Sequence, residues 1–225
     1  RIALKLNLKK GLAIYEFVDK KIDKNPIFGT IEHDYFDDIA WGVDFFSGHL
    51  VYEVPGAHKI TDIHEVKPTI IHYKNAIKLE SLTVSRLGAL KKEIYINDLS
   101  GEVSIKYLLP SHKDLIGSLR YGFVNLFAEN FDQSDLHYMS HNGGKDLEIF
   151  KIHNNFDHGA PVSKLVSSSN IIGATEGLLI IGDKNKKIHI AFDKSQCASV
   201  GMVQFKSIQG RHLIRAYLSA RETDD

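Results

Sequence analysis

The residues best suited to acid–base chemistry lie between positions 119 and 159, where polar and aromatic side chains interrupt a regular strand pattern. Histidine titrates near neutral pH and can act as an acid or a base, and a nearby carboxylate such as Glu129 can fix its tautomer, so His141, His158 and Glu129 are candidate acid–base residues. The alternative is that these are turn residues whose side chains bond to their own loops. Both interpretations stay open for five polar residues: Glu129, His141, Asn142, Asp157 and His158.

A strand-like run at positions 121–127 precedes these turns. Side chains alternate between the two faces of a strand, so Phe123, Asn125 and Phe127 share one face, while Val124 and Leu126 share the other. The two phenylalanines are expected to line a groove, with Asn125 as a polar contact beside them. We therefore predict five ligand contacts in this region: Phe123, Asn125, Phe127, Asn142 and Asp157.

The single tryptophan, Trp41, lies in an aromatic-rich segment with Phe45, Phe46 and Tyr52. Flat aromatic faces suit the apolar faces of sugar rings, which makes Trp41 a sixth candidate ligand contact. The competing interpretation is that these rings belong to the hydrophobic core.

The sequence offers candidate metal ligands but no complete metal-binding motif, and no cofactor is predicted. Asp34, Asp37 and Asp38 supply enough oxygen ligands for calcium but lack the spacing of a calcium-binding loop, so a solvated acidic loop is the competing interpretation. The histidine pairs 58/64 and 137/141 occur without the His-Glu-x-x-His pattern of zinc enzymes. Cys197 is the only cysteine, which excludes an intrachain disulfide framework and a thiolate zinc cluster.

Composition narrows the class of partner. The 225 residues contain 28 basic and 28 acidic side chains, so the net charge is zero. Nucleic acid and anionic membranes normally leave a basic patch, and neither is expected as the main partner. The low cysteine content is consistent with a cytoplasmic location. Because the chain starts at Arg1 directly in a strand pattern, we expect one domain, residues 1–225, excised from a longer chain.

The elements that must position these residues are strands. Alternating or β-branched runs recur at roughly ten-residue spacing, which is typical of a β-sandwich or barrel. Residues 60–72 are predicted as one strand, residues 165–172 as another, and residues 178–192 as the clearest hairpin. Only residues 111–119 and 134–139 are expected to form a helical turn or two. The pattern predicts an all-β fold with two large antiparallel sheets packed face to face.

Three segments resemble one known family in the order of their features. They are residues 1–18 with the turn at Gly11, residues 85–95 followed by 103–109, and residues 121–126. Together they resemble the galactose-mutarotase-like supersandwich, the large β-sandwich domain that follows the catalytic domain in glycoside hydrolases of families 38 and 57. The likeness lies mainly in strand rhythm and covers most of the chain.

This resemblance implies a carbohydrate context and a catalytic domain in the same chain as partner. We expect an accessory β-sandwich domain, in which the strand at 121–126 belongs to the sheet facing the sugar. Mutarotases proper would imply a histidine acid and a glutamate base, and no motif here places both. Two alternatives remain: a free-standing mutarotase or epimerase, in which His141 or His158 is the acid and Glu129 the base, and a structural domain without ligand.

Overall fold

The computed structural model describes residues 1–31, 45–54, 56–110, 117–141, 143–152, 171–208 and 210–221. This part of the chain confirms the all-β prediction, because its regular structure consists of strands and two short 3-10 turns. Within it, no helix is long and apolar enough to cross a membrane. The strands are β1 Ile2–Asn7, β2 Ala13–Asp19, β3 Phe28–Gly29, β4 Leu50–Glu53, β5 Ile60–Thr61, β6 Thr69–Tyr73, β7 Ala76–Ser85, β8 Gly88–Asn97, β9 Glu102–Leu108, β10 Ser118–Leu126, β11 His137–Ser140, β12 Glu148–Lys151, β13 Ile171–Ala174, β14 Leu178–Gly182, β15 Lys187–Ala191, β16 Val200–Ile208 and β17 Arg211–Arg221.

The strands form three antiparallel sheets in a sandwich-like arrangement, which confirms the predicted fold class. The nine-stranded main sheet has the order β1-β2-β3-β10-β17-β16-β13, with β4 also paired to β10 and β5 paired to β4. The meander sheet has the order β6-β7-β8-β9, and the small sheet has the order β12-β11-β14-β15. Strand β10 lies at the centre of the main sheet, because it pairs with β17 on one side and with both β3 and β4 on the other.

Turn chemistry explains the two hairpins that the sequence predicts best. Between β1 and β2, a 3-10 turn at Leu8–Lys10 ends at Gly11, which has φ of +61°. Glycine adopts this left-handed conformation without strain, and a Cβ added there would lie 1.8 Å from the Asp62 carbonyl oxygen. Between β14 and β15, the buried carboxylate of Asp183 accepts two backbone N–H groups of the turn, at 2.7 and 2.8 Å.

The main core lies between the main sheet and the small sheet. Tyr138 of β11 is fully buried there, and its ring stacks on Phe150 of β12 at a centroid distance of 4.8 Å. Other buried members of this core include Phe17, Leu126, Leu179, Ile181, Val203, Phe205 and Ile214.

A second core joins the meander sheet to the main sheet. Leu79 of β7 and Ile94 of β8 pack there with Leu12 and Val66. The same cluster receives partly buried side chains from β1 and β9: Leu4, Leu6, Val103 and Ile105. The inner face of the meander sheet therefore covers the β1–β2 end of the main sheet.

Two local predictions were wrong. Residues 60–72 form two strands instead of one, because the intervening segment pairs with the first turn: Gly11 N–H donates to the His64 carbonyl at 2.7 Å and Val66 N–H donates to the Leu8 carbonyl at 2.9 Å. Residues 134–139 are not helical, since β11 begins at His137 and pairs with both β12 and β14.

Two other predicted elements lie partly outside the described residues. Of the predicted helical segment 111–119, the described part, 117–119, leads into β10, which starts at Ser118. Of the predicted strand 165–172, residues 171 and 172 open β13, which pairs with β16.

Candidate functional site

Seven of the residues proposed from the sequence lie outside the part of the chain that the structure describes. They are Asp34, Asp37, Asp38, Trp41, Asn142, Asp157 and His158. Their predicted roles as ligand contacts, acid–base groups or calcium ligands therefore stay predictions.

Phe123 and Asn125 lie on the face of β10 that the alternation predicts, but both side chains are buried in the protein. The Phe123 ring is stacked between His49, at 4.2 Å, and Tyr217, at 5.0 Å, measured between ring centroids. Asn125 is fully buried, and its Nδ2 donates to the Phe46 carbonyl at 3.1 Å. A ligand could reach either residue only if this packing opened.

The aromatic segment around Phe45 is also largely core. Phe45 and Tyr52 are 3 % and 5 % exposed, so neither offers a free face to a sugar ring. Phe46 and Phe127 are partly exposed, and Phe127 N–H donates to the Ile27 carbonyl at 3.1 Å. For Phe45 and Tyr52, the structure therefore supports the core interpretation.

Glu129 and His141 lie on different elements, and no hydrogen bond or ion pair joins them among the described residues. Glu129 is exposed in the 3-10 turn Ala128–Asn130, which follows β10. His141 follows β11, and its carbonyl accepts the Thr175 hydroxyl at 3.0 Å. The described residues therefore do not show an assembled acid–base pair.

His137 opens β11, whereas His141 follows the end of that strand, so the two histidines are not the i and i+4 pair of a helix. The His137 Nδ1 also lies 2.8 Å from the Asp135 carbonyl oxygen. Within the described ranges, no three side chains of the metal-binding types come together.

The most prominent polar feature is a buried ion pair that sequence reasoning missed. Lys92, on the inner face of the meander sheet, is 1 % exposed, and its Nζ lies 2.7 Å from Oδ2 of Asp62, which is also 1 % exposed. The ammonium donates a further hydrogen bond to the Gly11 carbonyl at 2.8 Å, while Asp62 Oδ1 accepts Leu50 N–H at 2.8 Å. Burial lowers the pKa of Lys92, and the Asp62 carboxylate opposes that shift.

Tyr107 extends this cluster towards the centre of the main sheet. Lys92 Nζ lies 5.5 Å from the centroid of its ring, and its hydroxyl donates to the His49 carbonyl at 3.3 Å. The ring also contacts Tyr121, whose hydroxyl lies 2.7 Å from the Ser199 hydroxyl. Burial raises the pKa of Tyr107 well above its usual value, so it remains a neutral phenol.

His49 lies in the same region and is fully buried. Burial lowers its pKa well below the usual value, the nearby charges of Lys92 and Arg215 lower the pKa further, and the Phe46 carbonyl opposes them. Neither ring nitrogen has a hydrogen-bond partner of normal geometry among the described residues. The imidazole is therefore neutral at pH 7 and packs against Phe123 like an aromatic core residue.

A signal for the buried ion pair does exist in the sequence. Leu90, Lys92 and Ile94 alternate with Lys91 and Glu93, so a lysine interrupts an apolar strand face. Its partner carries no comparable signal, because Asp62 lies 30 positions away in an irregular segment. Both charges are inaccessible to a ligand, so the pair cannot serve as a surface catalytic pair. It joins the meander sheet, through Lys92, to the segment that follows β5 of the main sheet, through Asp62.

An open cleft of about 580 Å³ lies between β1 and the end of the meander sheet. Its floor is aliphatic, formed by Ile2, Leu4, Ile77 and Ile96, and its rim is polar, formed by Arg1, His72, Lys74, Asn75 and Asp98. Tyr73 also lines the cleft and is 53 % exposed; its ring lies 6.2 Å from the Tyr95 ring between centroids, on the face of the meander sheet opposite to Ile77 and Ile96. Asp98 accepts the Ile2 N–H at 2.9 Å, and this hydrogen bond lowers the pKa of the Asp98 carboxyl group.

Comparisons of the chain with models of known families, with curated proteins and with solved structures found no match in any of the three.

Proposed function

We propose that the chain is a carbohydrate-associated β-sandwich domain that is accessory to a glycoside hydrolase-type catalytic domain of the same protein. The observation that carries the proposal is the cleft between β1 and the end of the meander sheet, which we call the Tyr73 cleft. It combines aliphatic side chains, which suit the apolar face of a pyranose, with amide, carboxylate and ammonium groups that suit its hydroxyls, and the exposed Tyr73 ring lies at its outer edge. Its volume lies in the range of small-molecule sites.

The chemistry of the cleft supports binding more than catalysis. General acid catalysis needs a carboxyl group that retains its proton near neutral pH, whereas Asp98 has a lowered pKa and accepts the Ile2 N–H at 2.9 Å. Asp98 therefore acts as a hydrogen-bond acceptor for a hydroxyl. The buried Lys92–Asp62 pair supports the scaffold part of the proposal, because it fixes the meander sheet that forms one wall of the cleft.

Isothermal titration of the domain with mono- and oligosaccharides tests the proposal. We expect saturable binding of a neutral saccharide, weakened at least about fivefold by Tyr73→Ala, because an aromatic contact contributes roughly 1 kcal/mol. Tyr15→Ala is the matched control, since Tyr15 is similarly exposed, at 49 %, but does not line the cleft. Equal effects of the two variants, or no binding of any saccharide, would contradict the proposal.

A sugar anomerisation assay separates the accessory domain from an enzyme. The accessory domain should leave the rate of anomerisation at the background value at every saccharide concentration that saturates the cleft. A rate above background would instead favour the mutarotase-like alternative.

A further inference from the structure

A second groove, of about 450 Å³, lies on the outward face of the β1–β2 hairpin. It is lined by Ala3, Lys5, Glu16, Val18, Lys20 and Lys24. Strand register explains this set: Ala3 pairs with Val18 and Lys5 pairs with Glu16, so these four side chains point to the same face of the hairpin. The small side chain of Ala3 leaves a shallow floor between polar walls.

The groove carries excess positive charge. Lys5 Nζ is neutralised by Glu16 at 2.6 Å, whereas Lys20 and Lys24 are exposed and have no carboxylate within ion-pair distance among the described residues. The chain as a whole has no net charge, so these two ammonium groups, without an ion-pair partner in the described part of the chain, create a local positive potential at one end of the groove. They attract an anionic group to the Lys20 end.

The shape of the groove indicates an elongated ligand. One end of the groove is formed by Lys5 and Glu16 and the other by Lys20 and Lys24. Glu16 and Lys20 are four residues apart, which corresponds to roughly 14 Å of extended backbone between the two ends. A single small anion would contact only one end. A chain that places an anionic group at Lys20 and Lys24 and lies across Ala3 and Val18 uses the full length.

We propose that this groove binds an acidic oligosaccharide, that is, a sugar chain carrying carboxylate or sulfate groups. The proposal rests on the proposed carbohydrate function for the class of ligand, but it uses a different surface from the Tyr73 cleft. Lysine is a compact point charge that does not select between carboxylate and sulfate geometry, so the class is defined by charge. Glu16 and the small number of unpaired lysines disfavour nucleic acid, whose affinity rises with each neutralised phosphate.

The test is calorimetric titration with a tetragalacturonate and with its methyl ester, which has the same chain without the charges. At low ionic strength, we expect the acid to bind at least about fivefold more tightly than the ester, and the difference to shrink as salt is added. The double variant Lys20→Gln/Lys24→Gln should abolish this difference. The control Lys9→Gln/Lys67→Gln removes the same charge from exposed positions outside the groove and should preserve it.

The outcomes separate this inference from the proposed function. If a neutral saccharide binds at Tyr73 but the acid binds no better than its ester, the groove proposal is wrong and the proposed function stands. If the acid binds through Lys20 and Lys24 while no neutral saccharide binds, the groove proposal stands and the Tyr73 cleft fails. Equal weakening by the groove and control variants would overturn the groove proposal. Replacing the ester with a tetrasaccharide sulfate identifies which anionic group is bound more tightly.

Discussion

Replacing Lys92 with methionine should destabilise the protein far more than the same replacement of its neighbour Lys91. At the 2.7 Å separation of Lys92 Nζ and Asp62 Oδ2, the Coulomb attraction is roughly 6 kcal/mol at an effective dielectric constant of about 20. Desolvation of the two ions offsets most of that attraction when the pair is intact. Removing only Lys92 leaves a buried carboxylate without its cation, which costs about 3–5 kcal/mol.

Lys91 is the internal control because it lies on the opposite face of the same strand. It forms partly exposed ion pairs with Glu80 and Glu93 at 3.1 and 2.7 Å. Surface pairs of this kind contribute about 0–1 kcal/mol, so Lys91→Met should have little effect on the free energy of unfolding. Urea unfolding followed by circular dichroism measures both variants.

A double-mutant cycle isolates the ion pair from the rest of the site. Lys92→Met/Asp62→Leu removes both charges and should recover part of the stability lost in Lys92→Met. Recovery remains incomplete, because Asp62 also accepts Leu50 N–H, and an unsatisfied buried amide costs about 1–3 kcal/mol. If Lys92→Met and Lys91→Met change the free energy of unfolding equally, the reasoning is refuted.

Two further predictions concern His49 and Gly11. The folded-state pKa of His49 lies below its unfolded value of about 6.5, so the free energy of unfolding should decrease as the pH falls below about 6.5, by up to about 1.4 kcal/mol per pH unit. Urea unfolding across pH 7 to 5 measures this loss. His49→Phe should remove it, and the control His189→Gln, at an exposed position, should not. Gly11→Ala combines a left-handed backbone with a Cβ 1.8 Å from the Asp62 carbonyl oxygen. It should lower the free energy of unfolding by clearly more than the roughly 1–2 kcal/mol expected for Gly143→Ala, where φ is +81° and no atom lies within 4 Å of the added Cβ. Equal melting temperatures for the two variants would show that the contact with Asp62 relaxes at no cost.

Local patterns in the sequence were sufficient to predict much of the fold. The β14–β15 hairpin has buried apolar residues before the turn, alternating residues after it and turn-forming residues between, so its boundaries follow from periodicity and turn chemistry. Segment 60–72 was mispredicted because its β-branched residues favour a strand, whereas contacts of His64 and Val66 with a distant turn decide its path. Long-range pairing of this kind has no local signature.

The site was less predictable than the fold for a related reason. Alternation correctly placed Phe123 and Asn125 on one face of β10, but side chains from neighbouring strands of the same sheet can cover such a face, and Tyr217 of β17 and His49 next to β4 stack on Phe123. The cleft lined by Tyr73 depends on how β1 approaches the end of the meander sheet. That approach is a tertiary property, and it cannot be read from the spacing of residues along either strand.

Strand β1 connects the two proposed binding surfaces. Its alternation places Ile2 and Leu4 in the Tyr73 cleft and Ala3 and Lys5 in the second groove, on the outward face of the β1–β2 hairpin, so the two sites lie on opposite faces of one edge strand. The two faces differ in chemistry because only the inner one lies against the meander sheet, which contributes the aliphatic side chains of Ile77 and Ile96. The outer face is completed by the charged loop after β2, which supplies Lys24. The two proposed sites, one for a neutral saccharide and one for an acidic saccharide, therefore use opposite faces of a single hairpin.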